Sequence, residues 1–289
     1  METEDMEVKF YLMDLESKFK KIKPHTYYLS YSGGKDSHFL YWFIKEYLKR
    51  DDIKIVGINT YMEHSEILDR IKKNCDIVLK PEMNPMQVKL KYGSPCFSKT
   101  QDDYIDRWQN GNRAPYLIAR IEGHNLDGSK TQFGLSKKAR KLLMEGKLHK
   151  ISNKCCKYLK KETAKKFQEE SGLKPILGVR GSESLARKGV YKSCFQKDGR
   201  FTPIWDLSDE LLDKIIKEYN IEVPEVYKHV CRTGCMGCPY GSWKHDTEKE
   251  LMIIDDRQFN FVTMLFKESY EVLGIDVEKI REERNLHKK

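Results

Sequence analysis

YYLSYSGGKDSHFLYW, residues 27–42, is the stretch on which the fold turns. An apolar run leads into two glycines, a lysine and an aspartate, and a second apolar run follows at once. HTYYLSYS reads as a buried strand, and Phe39, Leu40, Phe43, Ile44, Tyr47 and Leu48 recur at helical spacing just after the glycines. A strand that passes through Ser32, Gly33, Gly34, Lys35, Asp36 and Ser37 into a helix gathers backbone N–H groups around one point, which makes an anion site. Gly33 and Gly34 let the backbone approach a phosphate closely, Ser32 and Ser37 offer hydroxyls, and Lys35 adds charge. The spacing is neither that of a Walker A loop nor that of a GxGxxG dinucleotide turn. The bland alternative is a strand-to-helix turn that needs glycine only for its conformation, but the lysine, aspartate and serines around the glycines favour nucleotide phosphate.

Working outward, the elements alternate. IKIVGINT is a second strand, HSEILDRIKKN a helix and CDIVLK a third strand; strand and helix in alternation imply a parallel sheet with helices on its faces. TAKKFQEESG is a helix with a glycine stop, KPILGVR a strand, and LSDELLDKIIKEYN a helix capped by Ser208 or Asp209. Upstream, Val8, Tyr11, Leu12, Leu15 and Phe19 form an amphipathic helix that ends before Pro24. The stretch EKELMIIDDRQFNFVTMLFKESYEVLG predicts one long helix, followed by a loose charged tail ending in HKK. The expected class is α/β with a doubly wound, mostly parallel sheet and a C-terminal cysteine-containing helical segment. Three parts are expected: a helix over 1–24, a nucleotide-binding α/β domain over 25–225, and a C-terminal segment over 226–289.

No apolar run is long enough to span a bilayer, and METEDMEVKF lacks the order of a signal peptide, so a cytoplasmic protein without a membrane partner is expected. Eight cysteines in such a chain point to metal or redox chemistry rather than to a disulfide scaffold. The formal charge of +9 is concentrated between Lys137 and Lys166, where twelve Lys and Arg face only Glu145 and Glu162. A solvated helical face is the ordinary reading of such a run. This one also holds Cys155 and Cys156, which raises phosphate, nucleic acid or an anionic cluster as partners.

SGGKDS resembles the PP-loop of the ATP pyrophosphatases, whose fold is the adenine nucleotide alpha hydrolase-like one. Further stretches narrow the likeness to the phosphoadenosine phosphosulfate (PAPS) reductase family. GVRGSESLAR, Gly178 to Arg187, looks like its arginine and Glu-Ser segment, and FTPIWDLSDELLDKIIKEYNIEVPEVY is similar to the run that opens a helix there. INTYMEHSEILDRI resembles its second-strand segment, with Asn59 where an aspartate is usual. The likeness runs from about residue 25 to 245.

On ligand type alone, Cys155–Cys156 with the C-x-x-C of Cys235 and Cys238 suits an iron-sulfur cluster or zinc. The arrangement resembles the four-thiolate 4Fe-4S ligation of adenosine phosphosulfate (APS) reductases, in which a lysine follows the pair as Lys160 does here. Two alternatives stand beside it. A zinc knuckle would leave Cys155 and Cys156 as core thiols. Cys231, Cys235 and Cys238 also spell the C-x-x-x-C-x-x-C of radical S-adenosylmethionine enzymes, though late in the chain. Cys75 and Cys96 are most simply core or incidental residues.

Two departures from the reductases matter. Their catalytic cysteine near the C-terminus has no counterpart, because no cysteine follows Cys238, and their phosphate loop is usually degenerate whereas this one is intact. The resemblance therefore implies an ATP-dependent sulfurtransferase that adenylates an acceptor, nucleic acid among the possibilities, with a sulfur donor or companion protein. In that scheme Ser32 to Ser37 hold ATP with Mg²⁺, Lys35, Asp36 and Arg180 act on the phosphates, and Gly178, Glu183 and Arg187 complete the nucleotide site. The alternatives are a sulfonucleotide reductase that takes APS or PAPS with Cys194 or Cys231 as its thiol, and a noncatalytic nucleotide-binding module.

Overall fold

The structure is a computed structural model that describes residues 5–183, 193–230, 234–242 and 247–286. Its sheet is built on β1 (Tyr27–Tyr31), which pairs in parallel on one side with β2 (Lys54–Ile58) and on the other with β4 (Lys174–Leu177). β3 (Ile77–Leu79) extends the β2 side, giving the order β3-β2-β1-β4. Leu29 lies opposite both Ile55 and Ile176, and all three are buried. A strand covered on both edges and both faces has no room for a polar alternation, which is why residues 27–31 read as a continuous apolar run. The α/β class with a parallel sheet is thus as expected.

Helices join these strands: α2 (Lys35–Trp42) after β1, α3 (Ser65–Asn74) after β2, and α8 (Glu162–Ser171) before β4. Gly172, at φ +69°, stops α8. α1 (Met6–Lys20) buries Val8, Leu12, Leu15 and Phe19 along one stripe, and the Phe19 ring meets Phe43 at 5.4 Å and Phe201 at 5.2 Å. α9 (Asp209–Glu218) is capped by the Ser208 hydroxyl, which accepts from Leu211 N. These elements form one compact unit, Met1–Asn59, Ser65–Lys80 and Thr163–Tyr227.

The second unit comprises Thr60–His64, Pro81–Glu162 and Lys228–Lys289, so it is assembled from segments distant in sequence. Helices α4 (Pro85–Tyr92), α5 (Lys99–Gln109), α6 (Pro115–Glu122) and α7 (Lys137–Met144) belong to it. Met62, Leu159, Met236, Phe259, Val262 and Tyr270 share one of its cores.

The C-terminal region corrects the expectation of a single long helix. It is divided into α10 (Thr247–Ile253), α11 (Asp256–Leu265) and α12 (Lys267–Leu273). Asp255 is extended (φ −66°, ψ 165°) and its carboxylate accepts from Gln258 N at 2.8 Å, an N-cap that restarts the helix. Of the charged tail expected to be loose, Val277–Leu286 forms a helix, α13, that buries Ile280 and Arg284, while residues 287–289 lie outside the described residues. Arg284 donates to the carbonyls of Leu251, Met252 and Ile254 at the end of α10, and to Asp256. Those carbonyls are the unpaired acceptors of a helix terminus. No helix among the described residues is long and apolar enough to cross a membrane.

Beneath the glycine turn, His38 is buried, and its Nδ1 lies 2.9 Å from the Tyr31 hydroxyl, which accepts from Asn74 Nδ2. The amide supplies one proton to that oxygen, so the hydroxyl donates its own to Nδ1 and the imidazole is neutral. Burial first, then the Arg70 and Lys73 charges, hold the His38 pKa down at about 4. A histidine whose folded pKa lies below its unfolded value of about 6.5 contributes stability above that value and loses it as pH falls towards the folded pKa. Acidification from pH 6.5 to 4 is expected to remove about 3 kcal/mol of unfolding free energy through this residue. Urea titrations of His38→Gln across that window should have a correspondingly flatter pH dependence.

Candidate functional site

The turn from β1 into α2 is closed by its own side chains. Ser37 is buried; its hydroxyl donates to the Gly34 carbonyl at 3.0 Å and receives the Ser32 backbone N–H at 3.2 Å, with the Ser32 hydroxyl 3.0 Å away. Gly33 has φ +75°, and a Cβ there would stand 2.9 Å from Ile67 Cγ2 and 3.1 Å from the Ile67 carbonyl. Both conformation and space therefore require glycine. Gly34 caps α2 in an extended conformation with no side chain in the way. Lys35 donates its backbone N–H to the Tyr227 hydroxyl and places its ammonium 2.9 Å from Asp213.

The end of β4 backs this turn. A Cβ on Gly178 would lie 3.1 Å from Ser37 N and 3.2 Å from the Asp36 carbonyl carbon, so the two loops touch through backbone. Arg180 is buried, donates from Nε to Asp36 Oδ1 at 2.7 Å, and sets Nη1 2.6 Å from Asp209 and 3.2 Å from Ser182 Oγ. Burial pushes the Asp36 carboxyl up, opposed by the Arg180 guanidinium. Ser32, Gly33, Gly34, Lys35, Asp36, Ser37, Gly178 and Arg180 thus come together at the carboxyl ends of two adjacent parallel strands. Strand order reverses between β1 and β4, and the crevice at such a switch point is where open α/β sheets bind ligands. Glu183 ends the short 3-10 turn Gly181–Glu183, while Arg187 lies outside the described residues. Asp213 and Tyr227 carry no sequence signal of their own, and Asp209 signals only a helix cap.

The cysteines meet within the second unit. Cys155 and Cys156 lead into a π-helical turn, Lys157–Lys161, and Cys235 and Cys238 bracket a knuckle. Burial pushes the Cys155 thiol up first, and the nearby Cys235, Cys156 and Cys238 push it further, so the four sulfurs share one neighbourhood. Burial likewise raises Cys235 and Cys238. Lys160 hydrogen-bonds to Cys235, and interaction with Cys235, then with Glu63 and Cys156, pushes its pKa up against the effect of burial. Among the described residues, no three His, Cys, Asp or Glu side chains are placed to hold a single metal ion. Cys231 lies outside the described residues. Cys96 is buried in a core, and Cys75 is half-buried against the strand glycine Gly57.

The knuckle is held by groups that sequence reading did not single out. Gly237 sits at φ +61° and donates its N–H to the buried carboxylate of Glu250 at 2.9 Å, whose other oxygen is 2.8 Å from His64 Nε2. Tyr270 donates its hydroxyl to the Gly237 carbonyl, and Met236 N donates to the Met62 carbonyl at 2.8 Å. After the second cysteine, Tyr240 donates to Asp102 Oδ2 at 2.8 Å, and the same carboxylate accepts from Cys96 N and Phe97 N. Burial raises the Asp102 pKa to about 6 against those three donors.

No protein-family model matches the chain, and no curated protein does. Among solved structures, a phosphoadenylyl-sulfate (PAPS) reductase from Candida auris in its phosphate complex is 12% identical with a TM-score of 0.43, over 79% of this chain and 93% of that one. An NH3-dependent NAD synthetase from Campylobacter jejuni is 13% identical with a TM-score of 0.33, over 91% and 93% respectively.

Loss of Glu250 leaves a buried Gly237 N–H without its acceptor and His64 without its carboxylate. Glu250→Ala is expected to cost about 2–4 kcal/mol of stability. Urea unfolding measures the loss, and Cys235 and Cys238 should react faster with a thiol reagent than in the parent protein.

Proposed function

We propose that this protein is an ATP-using sulfurtransferase that activates an acceptor oxygen by adenylation, binds a 4Fe-4S cluster through Cys155, Cys156, Cys235 and Cys238, and acts on nucleic acid. The observation that carries the nucleotide half is the meeting of the SGGKDS turn with Gly178 and Arg180 at the switch point between β1 and β4. An alkoxide-forming or carbonyl oxygen of the acceptor attacks the α-phosphorus of ATP, and pyrophosphate leaves. Hydrosulfide then attacks the activated centre, the bond to AMP breaks, and its oxygen departs with AMP, so no net oxidation is needed. The loop backbone and Lys35 neutralise charge on the departing diphosphate with Mg²⁺, and Arg180, aligned by Asp36 and Asp209, faces the same phosphates.

The donor set suits a four-thiolate centre. Four free thiols share a neighbourhood that also holds a lysine cation. Were a cluster held there, Cys155, Cys156, Cys235 and Cys238 would each ligate one iron, and it would supply redox and electrostatic chemistry rather than an open iron site. The company of Cys155 and Cys156 with the C-x-x-C also weighs against a knuckle or a three-cysteine motif that leaves that pair aside. The basic run from Lys137 to Lys166 supports a polyanionic acceptor.

Calorimetric titration of anaerobically purified protein with ATP and Mg²⁺, and in parallel with APS and PAPS, tests the nucleotide. ATP should bind in preference, and Lys35→Ala should weaken it about tenfold while iron content stays unchanged. Preference for APS or PAPS would turn the reading to a reductase. Cys155→Ala and Cys235→Ala should each lose iron by metal analysis with ATP affinity retained.

A further inference from the structure

Tyr92, at the end of α4, and Tyr158, in the π-helical turn that follows Cys156, stack face to face with ring centroids 4.4 Å apart and planes 7° from parallel. Both rings are only partly buried and rest on the core that also carries Cys155 and Cys235. Three ammonium groups surround them: Lys91 lies 5.3 Å and Lys154 5.5 Å from the Tyr92 centroid, and Lys157 lies 5.3 Å from that of Tyr158. Lys150 donates to the Lys91 carbonyl at 2.8 Å. Lys154 also meets Asp106 at 2.9 Å, and Lys157 stands 3.9 Å from Glu162.

We propose that this pair of tyrosines with Lys91, Lys154 and Lys157 is the docking surface for a single-stranded segment of nucleic acid beside the cysteines. The inference rests on the nucleic-acid acceptor of the proposed function and deepens it. Two features separate a strand from an acidic peptide as the occupant. Lysines serve either polyanion through charge, but ring faces at the surface reward bases, each of which has a π-face to stack. The lysines over those faces can turn outward to phosphates as a base takes their place, since ammonium groups on flexible stems hold their position weakly at an exposed ring. A duplex keeps its bases stacked on one another and offers the rings nothing, so the strand must be single. The balance of twelve basic residues to two acidic ones around Tyr158 supplies the attraction.

Fluorescence anisotropy of labelled mixed-sequence single strands of RNA and DNA, a matching duplex and a polyglutamate competitor, measured on the full chain between 50 and 200 mM salt, tests the surface. Single strands should bind more tightly than duplex, Tyr92→Ala should weaken them about tenfold, and Tyr92→Phe should restore most of the loss. The double variant Lys91→Gln with Lys157→Gln should lower the slope of log affinity against log salt by roughly 1.4, at about 0.7 for each phosphate that is no longer neutralised. Unfolding midpoints and iron content of the variants verify that the fold is kept. No strand binding by the parent protein, variants that bind as it does, or stronger binding of duplex or polyglutamate would each overturn the inference. ATP titration of the same preparations separates the two readings: strands that bind while ATP does not sink the nucleotide chemistry and leave this surface standing, and the reverse result does the opposite.

Discussion

The parallel pairing of β1 on both edges is the constraint on which the candidate nucleotide site depends. With β2 on one side and β4 on the other, β1 is a central strand, and the residues that leave it turn over the sheet's carboxyl edge. Gly33 is then pressed against α3, and its left-handed backbone is the only way through. At the end of β4, Gly178 leaves its backbone close against Ser37 and Asp36, where a Cβ would crowd them. Two glycines from strands far apart in sequence thus set one turn upon another. The Arg180–Asp36 pair locks the contact.

The cations around that turn differ in how firmly they are placed. Arg180 is 5% exposed in its side chain and held by two carboxylates and a hydroxyl, a geometry that fixes the guanidinium plane. Breaking such a buried pair by removing one partner costs several kcal/mol, on the order of 3–5. Lys35 instead meets Asp213, whose carboxylate is 64% exposed. Exposed pairs contribute at most about 1 kcal/mol, so Asp213 holds the lysine only weakly. One cation gives the site its shape, and the other gives it charge that can move.

Much of the first unit was legible in the sequence because its signals are local. A strand buried on both faces must be apolar throughout, a crowded strand-to-helix turn at positive φ calls for glycine, and Ser208 and Gly172 mark helix ends by chemistry within a few residues. The second unit was far less legible. The helices between Pro85 and Met144 carry short or mixed patterns, and their apolar faces meet partners scattered over three segments of the chain. The C-terminal run kept helical periodicity across Asp255, so only the cap geometry there reveals the break. Arg284 looked like tail charge because nothing near it in sequence says that it closes the end of α10. The four cysteines could be grouped from their spacing and a family resemblance, whereas Glu250, Asp102 and Glu63 are lone acids whose partners become visible only in three dimensions.

The electrostatics of the cysteine neighbourhood follow from burial more than from any single contact. Desolvation favours the uncharged thiol, and each neighbouring sulfur adds to that preference, because a second negative charge nearby is worse than the first. Lys160 offsets one charge and not four. Cys155, Cys235 and Cys238 are thereby biased towards the protonated thiol, and thiolate ligands must give up those protons to bind metal. Glu250, Tyr270 and Met62 meanwhile hold the knuckle backbone without any contribution from the sulfurs. The protein scaffold thus fixes where Cys235 and Cys238 stand through groups other than the thiols themselves.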